Sequence, residues 1–232
     1  MPAAIADLSR LHVVVPVRAL AGGKQRLGSV LYEGHRTALV TGLLRHAIAI
    51  LAAWPAAEAI HVVSPDPSVM PVARAAGARP LLQPDQGLNE GVLAARAVAL
   101  AAGATAMLIL PVDLPLLDAG ALDGLIEAAD AAVAAGSGRP IVVIAPADAR
   151  TGTNALLLSP PDAIQPGFGP GSLERHLRAA AAVKASTQLV VEPALGFDLD
   201  TPDDLALLGR TRLDELFALA GAPAPASPAA AS

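Results

Sequence analysis

The chain has 232 residues, a formal net charge of -5 and no cysteine, and its apolar fraction of 53% contains only 2% aromatics. That length suits one α/β domain or two small ones with a substantial core, and an alanine-rich apolar fraction suits helices around Val/Ile/Leu strands. The lack of cysteine excludes disulfides, thiolate catalysis and Cys-based zinc sites, and the acidic balance without a basic stripe or aromatic platform gives no footprint for nucleic acid.

In chain order, the β-branched run Leu11 to Val17 predicts a buried strand. Glu33 to Trp54 has helical spacing and stops at Pro55. Ala59 to Ser64 predicts a second strand, Ser68 to Gly77 a short helix and Ala78 to Gln83 a short third strand. A helix follows to Ala102, with Asn89 a candidate cap. Ala106 to Val112 is the clearest strand, followed by a helix from Asp118 to Ala135. Pro140 to Pro146 and Thr153 to Ser159 predict two strands with no helix between them. The glycine-rich segment Gln165 to Leu177 then opens a helix, Thr187 to Glu192 predicts a strand, and Pro202 to Ala220 a last helix.

This alternation predicts an α/β fold, one domain over residues 11–220, with a mixed, mostly parallel sheet covered by helices on both faces. Residues 1–10 form an N-terminal extension, and the Ala/Pro/Ser-rich stretch from Gly221 to Ser232 is expected to be a disordered tail. The mean hydropathy is +0.52. Even so, the uncharged run Ala97 to Val112 is shorter than the roughly 20 residues of a spanning helix, and Gly103 and Thr105 split it. The first residues lack the basic and apolar regions of a secretory signal. A cytoplasmic protein with no membrane partner is the expectation.

In open α/β sheets ligands gather at the C-terminal ends of strands. The loop after the first strand carries Gly22 and Gly23 with Arg18, Lys24 and Arg26, the combination of backbone N–H groups and cations that a triphosphate needs. Its spacing is neither a Walker A sequence nor a dinucleotide fingerprint, and a solvated basic loop is the alternative. Asp113 stands at the tip of the fourth strand between Pro111 and Pro115, as a turn residue or a metal ligand. Near the end, Asp198 and Asp200 alternate onto one side of an extended segment. Thr201 can cap the following helix with Pro202 in its first turn, which explains Asp203 and Asp204 as acids favourable at a helix N-terminus. Asp198 and Asp200 have no such explanation, and hard oxygen ligands suit Mg2+. The five histidines show no ligand spacing. His12 and His61 fall at strand starts, His46 along a helix, and His176 after the glycine loop, where packing is its simpler role. No G-x-S-x-G elbow supports a serine hydrolase.

The stretches "VPVRALAGGKQRL", "VVSPDPSV", "GLNEGV", "LPVDLPLL", "GTNALLL", "FGPGSLERHL" and "DLDTPDDL" occur in that order. Together they resemble the CofC/FbiD guanylyltransferases of deazaflavin-coenzyme biosynthesis, over Leu11 to Leu208. The resemblance implies a nucleotidyltransferase fold of the nucleotide-diphospho-sugar transferase type. It implies transfer of GMP from GTP to the phosphate of phosphoenolpyruvate, 2-phospho-L-lactate or 3-phospho-D-glycerate, with release of pyrophosphate. In that reading Asp113, Asp198 and Asp200 hold Mg2+, and Lys24, Arg26 and Asp113 act in catalysis. Arg18, Gly22, Gly23, Asp66 and Asn89 meet the nucleotide, and Thr153, Gly169 and Ser172 hold the acceptor. Structural alternatives remain for Asp66 as a turn residue, for Asn89 as a cap, and for the glycine loop as a plain turn capped by Ser172. The alternatives in function are another cofactor or sugar-phosphate nucleotidyltransferase, such as a relative of the molybdenum-cofactor guanylyltransferases, or a non-catalytic nucleotide-binding protein on the same fold. The acceptor acid, the basis of guanine preference and the oligomeric state, a homodimer included, stay open.

Overall fold

The computed structural model describes residues 7–83, 87–135, 138–148 and 151–225. Residues 1–6 of the N-terminal extension and 226–232 of the expected tail lie outside the described residues. Strands β1 (Leu11–Pro16), β2 (Ala57–Ser64), β3 (Arg79–Leu82), β4 (Ala106–Ile109), β5 (Ile141–Pro146), β6 (Thr153–Ser159) and β7 (Ser186–Leu189) form one sheet. Their order is β3-β2-β1-β4-β6-β5-β7. Every pairing is parallel except the two that β6 makes, with β4 and with β5. The mixed, mostly parallel sheet expected from the missing helix between β5 and β6 is therefore the observed one.

Side chains alternate across a strand, so each strand feeds two cores. Val13, Val15, Val62, Leu108, Val143 and Leu157 face one layer, where they meet Leu44, Ile48 and Leu51 of α1 (Glu33–Ala53) and Leu122 and Leu125 of α4 (Ala119–Ala134). Val14, Val63, Met107, Ile109, Ile144 and Leu156 face the other, against Val92 and Ala95 of α3 (Leu88–Ala101) and Ala180 of α5 (Ser172–Ala182). A short α2 (Val69–Ala75) adds Ala73 to the first layer.

A third cluster lies beside the sheet. Leu39 and Leu43 of α1 pack with Leu213, Leu216 and Phe217 of α8 (Arg210–Ala220). The two helices touch at Gly42, where any side chain would strike the Leu216 carbonyl. By length and composition α1 passes as a membrane span; its place between the sheet and α8 makes it a core helix.

Several boundaries differ from the sequence expectation. The last helix is two, α7 (Pro202–Leu208) and α8, broken at Gly209, whose φ of 78° and ψ of 160° suit only glycine. A short α6 (Pro193–Gly196) and a 3-10 turn, Gln25–Ser29, lie in segments read as loops. β4 ends at Ile109, short of Val112. Helix α3 starts before Asn89, with Gly87 at its cap position, so Asn89 is no cap. Asp118 does cap α4, accepting from the Ala121 N–H at 2.8 Å.

Candidate active site

β1, β2 and β4 end at one edge of the sheet, and β6, running the other way, begins there. The loop after β1 turns at Gly22 (φ 73°) and reaches Lys24, which holds a left-handed conformation (φ 50°, ψ 45°) at the start of the 3-10 turn. Such a φ is uncommon for a non-glycine residue and gathers at functional sites. Gly23 sits in a tight place: a Cβ there would lie 3.3 Å from the Ala19 carbonyl oxygen. Asp66, just after β2, fastens the loop, accepting from the Leu20 N–H at 3.0 Å and from the Ser68 N–H and hydroxyl at 2.9 and 2.7 Å. Burial would raise the Asp66 pKa, but these hydrogen bonds outweigh it and hold it below the usual range. Both carboxylate oxygens thus take part in holding the loop.

The Lys24 Nζ lies 2.7 Å from Asp200 Oδ1 and 3.2 Å from Asp113 Oδ2. Burial pulls its pKa down, and the Asp113 and Asp200 carboxylates more than offset that, leaving it raised. The two acidic segments are joined through the backbone, since the Leu199 N–H donates to the Asp113 carbonyl at 3.0 Å. Leu199 is fully buried, so Asp198 and Asp200 share the opposite side, as alternation requires. The Asp198 carboxyl is raised by burial first and then by the charges of Asp113 and Asp200. Thr201 and Asp204 form a capping box at α7, and Asp204 Oδ2 also accepts from the Asp200 N–H at 3.0 Å. The helix start therefore fixes the backbone that presents Asp200.

Arg18, Gly22, Gly23, Lys24, Arg26, Asp113 and Asp200 line one cleft of about 650 Å³, which also touches Leu88 and Pro170. Among the described residues no three histidine or acidic side chains stand arranged as a metal site. Asp113 and Asp200 instead meet across the Lys24 ammonium. Two hard oxygen donors at the mouth of a cation-lined cleft fit Mg2+ completed by substrate phosphates, and not a cage made by the protein alone.

The glycine loop borders the cleft through Pro170. Gly169 (φ 115°) and Gly171 (φ 69°) give it its shape, and Gly171, not Ser172, is the cap position of α5. Ser172 is the first helical residue and is 1% exposed. Asn89 ties α3 to the glycine loop: its amide donates to the Phe168 carbonyl at 3.2 Å and accepts from the Phe168 N–H at 2.7 Å. Arg96, from the same helix, donates to the Ile164 carbonyl and the Gln165 side chain, both at 3.2 Å. Thr153, at the start of β6, is 5% exposed and hydrogen-bonds His176. Sequence reasoning missed the Asp204 contact to the Asp200 N–H, Arg96, and Asn154, whose amide donates to the Gly196 carbonyl at 3.0 Å and also supports the Asp198 carboxylate. Only the capping pattern of Asp204 was readable beforehand.

The chain is 45% identical over 198 residues to the phosphoenolpyruvate guanylyltransferase of Rubrobacter xylanophilus, spanning 85% of this chain and 93% of that protein. It is 41% identical over 192 residues to the enzyme of the same name from Sphaerobacter thermophilus, spanning 83% and 89%. Among solved structures, a protein described as a nucleotide-diphospho-sugar transferase from Desulfovibrio desulfuricans G20 matches with a TM-score of 0.72 at 17% identity, over 91% of this chain and 94% of that one. A 4-diphosphocytidyl-2C-methyl-D-erythritol synthase matches with a TM-score of 0.58 at 18% identity, over 88% and 98%. These two show a shared fold. The model of the guanylyl transferase family described as CofC-like matches residues 11–210, and the chain belongs to that family.

Proposed function

We propose that the chain transfers GMP from GTP to the phosphate of phosphoenolpyruvate, releasing pyrophosphate, as a step toward a deazaflavin coenzyme. The observation that carries this reading is the cleft in which the glycines and cations of the β1 loop face Asp113 and Asp200. The names of the relatives at 45% and 41% identity favour phosphoenolpyruvate among the three candidate acids.

An acceptor phosphate oxygen attacks the α-phosphorus of GTP. A new P–O bond forms, the bond to the β-phosphate bridge breaks, and pyrophosphate leaves with the electron pair. No covalent enzyme intermediate is needed. Both reactants are polyanions, so catalysis rests on positioning and charge neutralisation. The N–H groups around Gly22 and Gly23 cradle the triphosphate, and Lys24 and Arg26 offset charge growing on pyrophosphate, with Arg18 at the cleft wall. Asp113 and Asp200, with Asp198 nearby, would hold Mg2+, which when bound would supply Lewis-acid neutralisation of the phosphates. Gly169 and Ser172 of the glycine loop, with Thr153 of β6, hold the acceptor.

Pyrophosphate release with GTP, Mg2+ and each of the three acids in turn tests this, with turnover expected for phosphoenolpyruvate. Turnover with only one of the other acids, or equal use of ATP, would overturn the substrate assignment.

A further inference from the structure

His176 is fully buried, and both of its ring nitrogens are engaged. The Gly167 backbone N–H reaches Nε2 at 2.9 Å, and Nδ1 lies 3.0 Å from Thr153 Oγ1. A backbone N–H only donates, so Nε2 must be the nitrogen with the free lone pair. A neutral imidazole then carries its proton on Nδ1. Burial first, and Arg175 second, hold the His176 pKa down to about 4, so the ring is neutral at ordinary pH. Its Nδ1–H donates to Thr153 Oγ1, which leaves the threonine hydroxyl hydrogen to be given to something else. Thr153 lies at the edge where Asp113 and Asp200 gather, beside a loop tied down by Asn89, Arg96 and Arg175. A hydroxyl with its hydrogen still to give suits an anion.

We infer that His176 is a positioning residue for the acceptor: its tautomer, set by Gly167, fixes Thr153 as a hydrogen-bond donor to the anionic acid and joins the glycine loop to β6. The inference rests on the proposed acceptor role of that loop. His176 touches no substrate itself. It acts through Thr153 on one side and through the Gly167 backbone on the other. Phe168 packs on its ring edge, centroids 5.2 Å apart, so the imidazole also holds the loop's one aromatic side chain.

The test is a double-mutant cycle read on both Michaelis constants. His176→Phe keeps a ring and removes both nitrogens; Thr153→Val removes the hydroxyl. Losing a hydrogen bond to a charged ligand predicts that either change raises the KM for phosphoenolpyruvate about tenfold with the KM for GTP within about twofold. The double variant should be no worse than the worse single one, because both break the same chain. His176→Asn, whose amide can donate from near the Nδ1 position, should restore the KM to within about threefold, whereas His176→Gln, which reaches the Nε2 position instead, should not. Effects that multiply, or a His176→Phe variant with an unchanged KM for the acid, would overturn the inference. If His176→Phe fails to fold, the Asn and Gln variants decide by the same comparison. If Thr153→Val and His176→Phe act on the KM for GTP instead and still fail to add, the positioning of Thr153 stands and the loop's assignment to the acceptor falls. If Thr153→Val moves neither constant, the inference itself falls.

Discussion

Replacing Lys24 by methionine is the sharpest probe of the cleft. Its Nζ stands 2.7 Å from Asp200 and 3.2 Å from Asp113, and the three side chains are 8%, 40% and 28% exposed respectively. An exposed ion pair contributes about 0–1 kcal/mol, and breaking a buried one costs about 3–5 kcal/mol. A buried ammonium with two half-open partners falls between, so Lys24→Met should lose about 2 kcal/mol of stability. The same ammonium competes with any divalent cation for Asp113 and Asp200. Releasing about 2 kcal/mol of competing attraction should tighten Mn2+ binding to the free protein roughly 30-fold. Turnover should nevertheless fall by about two orders of magnitude, because the pyrophosphate loses a cation. Urea denaturation, Mn2+ titration followed by electron paramagnetic resonance and pyrophosphate release read the three effects. A variant as stable as the parent that binds Mn2+ no more tightly would show that the ammonium does not hold these carboxylates.

Asp113→Asn and Asp200→Asn should each lower turnover by about three orders of magnitude with unchanged circular dichroism, and full activity in excess chelator would refute the metal assignment. Ser172→Ala tests the acceptor contact: Gly171 is the cap residue, so no cap is lost, and the KM for the acid should rise about tenfold while the KM for GTP holds. Acid should destabilise the fold through His61 and His176. Burial, with His12 and Arg79 beside His61 and Arg175 beside His176, depresses each pKa from 6.5 to about 4. Between those values the unfolded chain binds protons that the folded one refuses, so stability falls as the pH drops from about 6.5 to about 4, by about 2 kcal/mol per histidine at pH 5. Urea midpoints at pH 7 and pH 5 measure it, and equal midpoints would refute it.

The strands were legible because buried parallel strands are short apolar runs bounded by turn residues. Gly209 escaped notice because apolar residues continue on both sides of it, and only its backbone conformation shows that α8 turns away to reach Gly42 of α1. Polar residues were harder still. Asp66 and Asn89 were singled out for a nucleotide or a local turn or cap, yet their hydrogen-bond partners Leu20 and Phe168 lie 46 and 79 residues away. A local pattern cannot show whether such a side chain meets a ligand or ties a loop. That Lys24, Asp113 and Asp200 come together was legible because each follows a parallel strand or precedes a cap, and parallel strands end at one sheet edge.

Thr153 and Asn154 are the exception, since their place depends on the direction of one strand. Had β6 run parallel to β4, its first residues would stand at the opposite edge. Seven residues of strand, Thr153–Ser159, at about 3.3 Å each put that edge roughly 20 Å away, too far for Thr153 to share a site with Asp113. The short link from β5 to β6, with no room for a crossover helix, enforces the reversal. It sets Leu157 opposite Leu108 and Leu156 opposite Ile109, so the strand that packs beside central β4 also brings Thr153 and Asn154 to the acidic edge. The antiparallel strand therefore does more than pack: its direction alone decides that Thr153 and Asn154, rather than Ser159, stand at the edge that carries Asp113 and Asp200.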